Sequence, residues 1–419
     1  MESTPVVTVF LRNSAEVLLL RRSSAVGSYT GRWGAVAGHA EGDPDSAARV
    51  EIAEETGIDP ATETELRRRG DPFEVADDDL DTTWVVHPYL FECATRSVQL
   101  NEESSTAEWV PPPAILRRDT VPELWTSYDR VRPTLDAIAA DKEHGAADLS
   151  IRALEVLRDE AAIAVERSGS DWPALIETAH SLVTARPALS VLATRVDQTM
   201  AAAIDAATPA ALESAATTTI TEALEADSAA AGVAADHLSD ARVATLSRSG
   251  TVIQALEQAD PAAVLVAESR PGGEGAAVAS RLVDQLDAPV TLTTDAAFAS
   301  RVHRWNADVI LVGVDAIFRD GSVRNKVGTR AAALAAAHED IPFFVVGAAA
   351  KITPDAQLPE EQRPASELTD DATVHADNPT FERTPPDLVT AVITEDGVLD
   401  AEAIAARADA HAEWRRWRP

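Results

Sequence analysis

The strongest constraint on the fold is an alternation of short apolar runs and helical stretches over residues 240–350. The runs are rich in Val, Ile and Leu, as in strands that are buried on both faces. Strands of this kind separated by helices predict a parallel sheet covered on both sides, with a binding site at the carboxyl ends of the strands. The apolar runs are Val243–Leu246, Ala263–Ala267, Val290–Thr293, Val309–Val314 and Phe343–Val346, and the helical stretches include Gly275–Leu286 and Thr329–Glu339.

The rest of the chain differs in composition from this region. Residues 130–238 are dominated by Ala, with Leu, Ile and Val at helical spacing, which predicts packed helices and almost no strand. Residues 1–125 combine β-type runs at 6–11, 16–21 and 82–93, which predict strands, with a helix that begins at Asp43-Pro44 and ends at Gly57. We therefore predict an α/β chain in three parts: residues 1–125, a helical domain over 130–238 and a parallel-sheet domain over 240–419.

The charge balance excludes several function classes. Lys and Arg total 36 and Asp and Glu total 69, so the formal net charge is −33. A general nucleic-acid binder or a protein that binds anionic membranes would carry a basic surface instead. Lysine occurs only at Lys142, Lys326 and Lys351. So acidic a chain with almost no lysine indicates adaptation to concentrated salt, and the retained lysines are candidates for roles that arginine does not fill.

The sequence also predicts a cytoplasmic protein. Cys93 is the only cysteine, so no intramolecular disulfide forms and no Cys-rich metal site exists. No apolar run approaches the roughly 18 residues of a membrane span. Residues 1–5 show neither the basic nor the apolar region of a signal peptide.

Three carboxylates cluster on the helix predicted in the first 125 residues. Glu51, Glu54 and Glu55 stand at helical positions i, i+3 and i+4 and therefore share one face. Their mutual repulsion would be relieved by a hard divalent cation such as Mg²⁺ or Mn²⁺, which also takes substrate phosphates. A solvated acidic face, ordinary in so acidic a protein, is the alternative interpretation.

The context of these carboxylates resembles the Nudix box. The resemblance covers about residues 5–120 and rests on Trp33–Asp43, on Glu51–Ile58 and on Glu108-Trp109-Val110. It implies a Nudix α/β/α sandwich that hydrolyses a nucleoside diphosphate linked to another group. By position, Glu54 and Glu55 hold the metal with Glu51 beside them. Val50 stands where the Nudix pattern has arginine, and Arg49 is one residue away.

Further candidate residues follow the predicted strands of the second half. Ser247–Gly250 places hydroxyls and backbone N–H groups at a strand-to-helix turn, which suits a phosphate. Arg270 offers a bidentate fork for phosphate, and Lys326 precedes a helix. Asp315 ends an apolar strand, where an unpaired carboxylate is costly. Singly, each has a simpler explanation: an ion pair for Arg270, a loop charge for Lys326 and a helix cap for Asp315.

Residues 130–400 resemble the family of the alpha, beta and delta subunits of translation initiation factor 2B and its sugar-phosphate isomerases. The most specific segments are Gly313–Ile317, Asn325–Thr329 and Asn378–Pro385. The resemblance implies a helical domain, a Rossmann-like domain and a homodimer or larger assembly. The isomerases use a Cys and an Asp, which correspond to Ser247 and Asp315. The candidate ligand-binding residues are Arg186, Ser249, Gly250, Arg270, Asn325, Lys326 and Lys351.

Three functions are compatible with these patterns. The leading one is a metal-dependent hydrolase of a substrate such as ADP-ribose, fused to a domain that binds a phosphorylated sugar or nucleotide. Hydrolysis would release AMP and ribose 5-phosphate, and both are plausible ligands of the second domain. The second is an initiation-factor-like regulatory subunit, with an initiation-factor partner and a non-catalytic Nudix sensor. The third is a sugar-phosphate isomerase with Ser247 in place of Cys, whose hydroxyl is far less acidic than a thiol.

Overall fold

A computed structural model describes residues 2–78, 80–141, 144–167 and 171–418. The chain forms two compact units. The N-terminal unit comprises residues 1–137 and 155–171, and the C-terminal unit comprises residues 138–154 and 172–419. One helix, Ala146–Glu166, therefore begins in the C-terminal unit and ends in the N-terminal unit. The domain limits predicted from composition stay predictions.

The N-terminal unit is a mixed sheet flanked by helices. The strands predicted over residues 6–11, 16–21 and 82–93 are all present. Its strands are β1 (Glu2–Asn13), β2 (Glu16–Arg22), β3 (Trp33–Gly34), β4 (Val36–His39), β5 (Thr64–Arg69), β6 (Phe73–Asp77), β7 (Thr82–Cys93) and β8 (Ser104–Val110). The helices along this part of the chain are α1 (Pro44–Thr56), α2 (Ala114–Arg117), α3 (Leu124–Asp129), α4 (Leu135–Ala140) and α5 (Ala146–Glu166).

Parallel pairing of β1 with β7 forms the centre of this sheet. The strand order is β3-β2-β1-β7-β5, with β4 paired to β1, β6 to β7 and β8 to β2. Neighbouring side chains of β1 face opposite sides of the sheet. Val9 packs in one core with Ile52 of α1, whereas Phe10 packs in the other with Tyr128 of α3. The unit thus has helices on both faces.

Helix α1 begins and ends where the sequence predicts. The Asp43 carboxylate accepts a hydrogen bond from the backbone N–H of Ser46 at 3.2 Å, and Pro44 occupies the first turn. Gly57 follows the helix with a left-handed φ of 69°, a conformation that glycine adopts without strain. These ends fix which carboxylates of α1 face the sheet.

The second half of α5 buries charged side chains within the N-terminal unit. Glu155 is fully buried and accepts hydrogen bonds from Arg12, at 2.9 Å from Nε and 2.7 Å from Nη2. One turn further, the buried Arg158 guanidinium donates to the backbone oxygen of Ala15 at 3.0 Å. These contacts attach the end of α5 to β1 and to the turn that follows it.

The C-terminal unit contains the predicted helices and the predicted parallel sheet. The five predicted apolar runs all form strands. Its further helices are α6 (Trp172–Ala185), α7 (Ser190–Ala203), α8 (Pro209–Ala235), α9 (Gly250–Ala259), α10 (Glu274–Gln285), α11 (Asp295–Arg304), α12 (Thr329–His338) and α13 (Ala401–Trp414). Its strands are β9 (Arg242–Thr245), β10 (Ala263–Ala267), β11 (Val290–Thr293), β12 (Val309–Gly313), β13 (Ala316–Phe318), β14 (Val323–Lys326), β15 (Phe343–Val346), β16 (Ile352–Thr353), β17 (Phe381–Thr384), β18 (Ala391–Thr394) and β19 (Gly397–Leu399).

The main sheet of this unit has the order β11-β10-β9-β12-β15-β18-β19. All its pairs are parallel except β18 with β19. Apolar residues of α8, α9 and α10 pack against one face, and those of α11, α12 and α13 pack against the other. The prediction of a parallel sheet covered on both faces is confirmed.

A second sheet, which the sequence did not indicate, lies in the same unit. Its order is β16-β13-β14-β17. Asp315 comes directly before β13, Lys326 ends β14, and Lys351 comes directly before β16. The short strands therefore gather three of the predicted site residues. No helix within the described ranges is long and apolar enough to cross a membrane.

His411 on α13 gives the C-terminal unit an expected pH dependence. Its ring is buried, and Nδ1 lies 2.7 Å from the backbone oxygen of Ile352. Burial, together with Arg407 and Arg415, lowers the pKa of His411 to about 4. As the pH falls, His411 is therefore protonated near pH 6.5 in the unfolded chain but only near pH 4 in the folded chain. The stability contributed by neutral His411 is complete above pH 6.5 and is lost as the pH falls through this window.

We expect His411 to account for about 3 kcal/mol of the acid-induced fall in unfolding free energy between pH 7 and pH 4. Denaturant titrations at several pH values would measure it, with His411→Asn losing this part of the slope. His338→Asn, at an exposed position of α12, is the matched control. Equal pH slopes for the wild type and His411→Asn would contradict the assignment.

Candidate functional site

The carboxylates of α1 divide between a cavity and the protein interior. Glu51 and Glu54 line a cavity of about 950 Å³ in the N-terminal unit. Glu55 is only 5% exposed, and its carboxylate accepts a hydrogen bond from the backbone N–H of Ala37 at 3.0 Å. Of the three carboxylates predicted to share one face of α1, Glu51 and Glu54 therefore line the cavity, and Glu55 is buried against β4.

Burial and neighbouring carboxylates both raise pKa values in this cluster. Burial raises the pKa of Glu55 to about 8, and Glu51 and Glu103 add to the effect. The pKa of Glu51 is also raised, first by burial and then by Glu54 and Glu103. Glu103, which also lines the cavity, was not among the predicted residues, since nothing in its local sequence separates it from other surface acids.

Gly38 is required by the position of Glu51. A Cβ atom at residue 38 would lie 1.8 Å from Oε1 of Glu51 and 2.0 Å from its carboxyl carbon. A side chain at residue 38 would therefore displace the Glu51 carboxylate from its present position, whereas the glycine lets β4 pass directly over it.

Aromatic and cationic groups line the same cavity. Trp84, Tyr29 and His39 contribute rings, and the His39 and Trp84 centroids are 6.1 Å apart. Trp84 Nε1 donates to the Tyr29 hydroxyl at 3.1 Å, and that hydroxyl donates to Asp77. Burial and the Asp77 carboxylate raise the pKa of Tyr29 to about 12, so it stays protonated.

Val50 stands where the Nudix pattern has arginine, and the neighbouring Arg49 does not take its place at the cavity. Val50 is 51% exposed and lines the cavity. Arg49 donates to the backbone oxygen of Pro60 at 3.2 Å and stacks over Phe91 at 5.4 Å. Arg22, which lines the cavity and donates to the backbone oxygen of Ser28 at 2.9 Å, brings a guanidinium that the sequence did not single out.

The carboxylates have the donor chemistry of a magnesium site. Within the described ranges, no three His, Cys, Asp or Glu side chains converge to hold a metal ion by themselves. Mg²⁺ commonly binds through one or two carboxylates, completed by water and substrate phosphates. Glu51 and Glu54, lining a cavity wide enough for such a substrate, fit that mode. The predicted three-carboxylate set stays a prediction.

The C-terminal unit brings several predicted residues around Asp315. Burial raises the pKa of the Asp315 carboxyl. The positive charges of Lys351, Arg324 and Lys326 oppose this rise, most strongly at Lys351, whereas the negative charge of Glu361 adds to it. The Asp315 backbone N–H donates to the backbone oxygen of Arg324 at 2.9 Å, and its backbone oxygen accepts from the Ser190 hydroxyl. Arg324 and Glu361 were not predicted.

The cations and the amide near this carboxylate are themselves buried. Lys326 is 4% exposed and Lys351 is 7% exposed. Lys326 Nζ donates to Oε1 of Glu274 at 2.9 Å, a partner that the sequence did not indicate. The Asn325 amide donates to Thr329 at 2.9 Å, at the start of α12. Lys142, the third lysine, lies outside the described residues.

The serine turn after β9 is held by its own hydrogen bonds. Ser249 caps α9, because its hydroxyl accepts from the Val252 backbone N–H at 3.3 Å, and Gly250 is the first residue of that helix. Ser247 has a left-handed φ of 65°, and its N–H donates to the Ser269 hydroxyl at 2.6 Å. A Cβ at Gly313 would lie 2.6 Å from the Ser249 hydroxyl, so a glycine is required beside the turn.

The two predicted arginines of the C-terminal unit have different surroundings. The Arg270 side chain is 72% exposed and lies 3.6 Å from Glu268. Arg186 donates to the backbone oxygen of Asp141 and lies 3.8 Å from Glu361, which also faces Asp315. Arg186 therefore shares an acidic neighbour with the Asp315 cluster, whereas Arg270 is paired at the surface.

Two family descriptions match the chain. The NUDIX domain matches residues 2–131, and the initiation factor 2 subunit family matches residues 142–401. The NUDIX match confirms the family resemblance of the region around the acidic helix, and the second match covers the parallel sheet and the Asp315 cluster.

The curated relatives that match the chain include sugar-phosphate isomerases. Methylthioribose-1-phosphate isomerase of Chloroflexus aurantiacus is 36% identical over 163 residues, which cover 36% of this chain and 47% of that protein. The chain thus spans about half the length of several curated relatives that it matches. Ribose 1,5-bisphosphate isomerase of Haloterrigena turkmenica is 32% identical over 306 residues, covering 65% of this chain and 90% of that protein.

Solved structures show the same fold. Translation initiation factor eIF-2B of Pyrococcus horikoshii matches with a TM-score of 0.54 and 25% identity, over 63% of this chain and 94% of that chain. The 5-methylthioribose 1-phosphate isomerase of the same organism matches with a TM-score of 0.54 and 20% identity, over 74% of this chain and 90% of its own. The chain belongs to the initiation factor 2 subunit family and carries a NUDIX domain ahead of the family region.

Proposed function

We propose that the N-terminal unit hydrolyses a nucleoside diphosphate derivative, such as ADP-ribose, with Mg²⁺ or Mn²⁺. The C-terminal unit then binds a phosphorylated sugar or nucleotide. The observation that supports the hydrolase most directly is one cavity lined by both the Glu51 and Glu54 carboxylates and the Trp84 and Tyr29 rings. A metal-bridged diphosphate uses the first pair, and a nucleobase uses the second.

Each group has a distinct part in this proposal. Glu51 and Glu54 would hold the cation, whose charge polarises the diphosphate and activates water. Arg22 supplies a positive charge for the phosphates from the same cavity. Glu55, bound to the Ala37 N–H, supports the strand that passes over Glu51. The Trp84 Nε1–H is satisfied by the Tyr29 hydroxyl, so the indole ring would meet the base without an unpaired polar atom.

Replacing Trp84 should weaken substrate binding without slowing the chemical step. Base stacking on an aromatic ring contributes about 1–3 kcal/mol, so Trp84→Leu is expected to raise KM roughly 10- to 100-fold with kcat little changed. Steady-state kinetics with ADP-ribose would measure this. Trp109→Leu removes a tryptophan that stacks on Arg96 in the same unit and is the control. A loss in kcat alone would contradict a stacking role.

The isomerase relatives favour a second candidate function for the C-terminal unit. Asp315 lies beside Lys351 with a raised pKa, as a proton-transferring carboxyl requires. Ser247 at the Cys position is a far weaker acid, and this supports ligand binding over isomerisation. Ribose 1,5-bisphosphate and methylthioribose 1-phosphate are the substrates to offer. Ketose formation that Asp315→Asn abolishes would establish the isomerase, and no ketose from either compound would exclude it.

The non-catalytic alternative has its own supporting observation. Val50 faces the cavity where the Nudix pattern has arginine, and Arg49 is bound to Pro60 and Phe91 instead. A regulatory subunit that senses a nucleotide would bind it tightly without turnover. It would also form a stable complex with an initiation-factor subunit, which size-exclusion chromatography with light scattering would detect.

The decisive experiment uses the whole chain in molar KCl, because the net charge of −33 indicates a need for screening salt. The protein is incubated with Mg²⁺ and a panel of nucleoside diphosphate sugars that includes ADP-ribose, and products are separated by chromatography. Formation of AMP and ribose 5-phosphate is expected. Folded protein that leaves the whole panel intact would refute the hydrolase and support the sensor.

A further inference from the structure

A partly buried ion pair engages Lys326, one of the residues predicted to bind the ligand. Lys326 Nζ lies 2.9 Å from Oε1 of Glu274, and the two side chains are 5% and 25% exposed. Glu274 opens α10, while Lys326 ends β14, so the pair joins the two elements beside the Asp315 cluster. A phosphate bound at this ammonium would meet the Glu274 carboxylate at close range in a poorly screened environment.

The second oxygen of Glu274 is orphaned. Oε2 is shielded from solvent and has no hydrogen-bond partner in the described part of the chain. A buried charged acceptor is normally satisfied, and an exception in a site indicates a donor that comes with the ligand or as water. The first turn of α10 favours an acidic residue through its dipole, but this does not explain an oxygen without a donor.

The backbone around Glu274 is shaped for this arrangement. Gly272 has a left-handed φ of 95°, and a Cβ there would lie 2.9 Å from Oε1 of Glu274. A Cβ at Gly275 would lie 1.8 Å from the backbone oxygen of Ala267 at the end of β10. The start of α10 therefore packs closely on the carboxyl end of β10, and the Glu274 carboxylate folds back over a glycine towards Lys326.

We propose that Glu274 determines ligand specificity in the C-terminal unit. Oε2 accepts a hydrogen bond from a ligand hydroxyl, while Oε1 keeps Lys326 neutralised and turns phosphate away from it. The ligand class is a polyhydroxylated monophosphate, such as an aldopentose phosphate, that presents a hydroxyl and not its phosphate to this pair. The inference rests on the proposed binding of a phosphorylated sugar or nucleotide by this unit.

Glu274→Gln separates the two effects because it keeps the shape and removes the charge. Calorimetry on the whole chain in molar KCl would use ribose 5-phosphate and inorganic phosphate as probes. The variant should bind ribose 5-phosphate about 10-fold more weakly, since a neutral amide is a poorer acceptor, and inorganic phosphate about 10-fold more tightly, since Lys326 loses its competitor. Glu257→Gln removes an acid of α9 that pairs with Arg281 of α10 at 3.4 Å. Neither residue is a predicted site residue, so this control should change neither affinity.

The outcomes distinguish this inference from the proposed function. Opposite changes for the two probes support it. Binding of ribose 5-phosphate by the wild type with parallel changes, or no change, in Glu274→Gln would overturn the role of Glu274 and leave the sugar-phosphate site standing. Absence of ribose 5-phosphate binding by the wild type would overturn the role of Glu274 and the pentose phosphate as ligand, and AMP offered to the same protein would then test the nucleotide part of the proposed function. Thermal unfolding of each variant in the same buffer verifies that the C-terminal unit is folded.

Discussion

Glu54→Gln is expected to abolish Mg²⁺-dependent hydrolysis of the nucleoside diphosphate substrate. The carboxylate lines the cavity beside Glu51 and is an oxygen ligand that an amide replaces poorly. Loss of outer-shell support alone typically lowers metal affinity or activity about 10- to 100-fold, so loss of a direct ligand should exceed about 100-fold. Turnover measured across a Mg²⁺ titration would report both the rate and the metal requirement.

The matched control for this variant is Glu102→Gln. It makes the same chemical change at an exposed position next to Glu103, outside the cavity lining. Its turnover should equal that of the wild type. Unchanged turnover in Glu54→Gln, with the same Mg²⁺ dependence, would remove the metal role of this residue. Tight nucleotide binding that survives the loss of activity would separate binding from catalysis.

Glu155→Ala is expected to destabilise the N-terminal unit by about 3–5 kcal/mol, because it leaves the Arg12 guanidinium buried without its main counter-charge. Arg12 is 4% exposed and makes two of its hydrogen bonds to Glu155. Glu92 remains as a partner of Arg12, and this places the expected loss towards the lower end of the range. Arginine is not deprotonated in proteins, so loss of the proton gives no relief.

Hydrogen exchange followed by mass spectrometry would locate the effect. Protection should fall in peptides of β1 and β7, whose pairing carries Arg12, and much less in the strands of the parallel sheet. Glu166→Ala provides the control on the same helix, since its pair with Arg117 is half exposed at 39% and 43%. Such a surface pair contributes about 0–1 kcal/mol. Equal destabilisation by both variants would contradict the argument.

Much of the architecture was predictable because it depends on local patterns. Continuous apolar runs identified β9, β10, β11, β12 and β15, and capping residues identified the ends of α1. The spacing of Glu51, Glu54 and Glu55 on α1 was equally local, as was the turn that ends in Ser249. Strand-end positions such as Asp315 followed once the sheet was inferred to be parallel.

What escaped prediction depends on contacts between distant segments. Glu155 is one acid among 69, and nothing in its neighbourhood distinguishes a fully buried carboxylate from a solvated one. Glu274 pairs with Lys326 only because β14 lies next to the start of α10, and the local sequence does not indicate this. The strands β13, β14, β16 and β17 are too short to show periodicity. Glu55, predicted beside Glu51, was separated from the cavity by the passage of β4 over the helix.

The burial of Glu155 has a consequence for how this gene could have arisen and diversified. The family region begins at residue 142, yet the Glu155 side chain within it neutralises Arg12 of the NUDIX region. A recombination event that exchanged either region near residue 140 would leave a buried cation or a buried anion without its partner. Lineages that inherit this pairing are therefore expected to inherit both regions together, with substitutions at positions 12 and 155 occurring in concert.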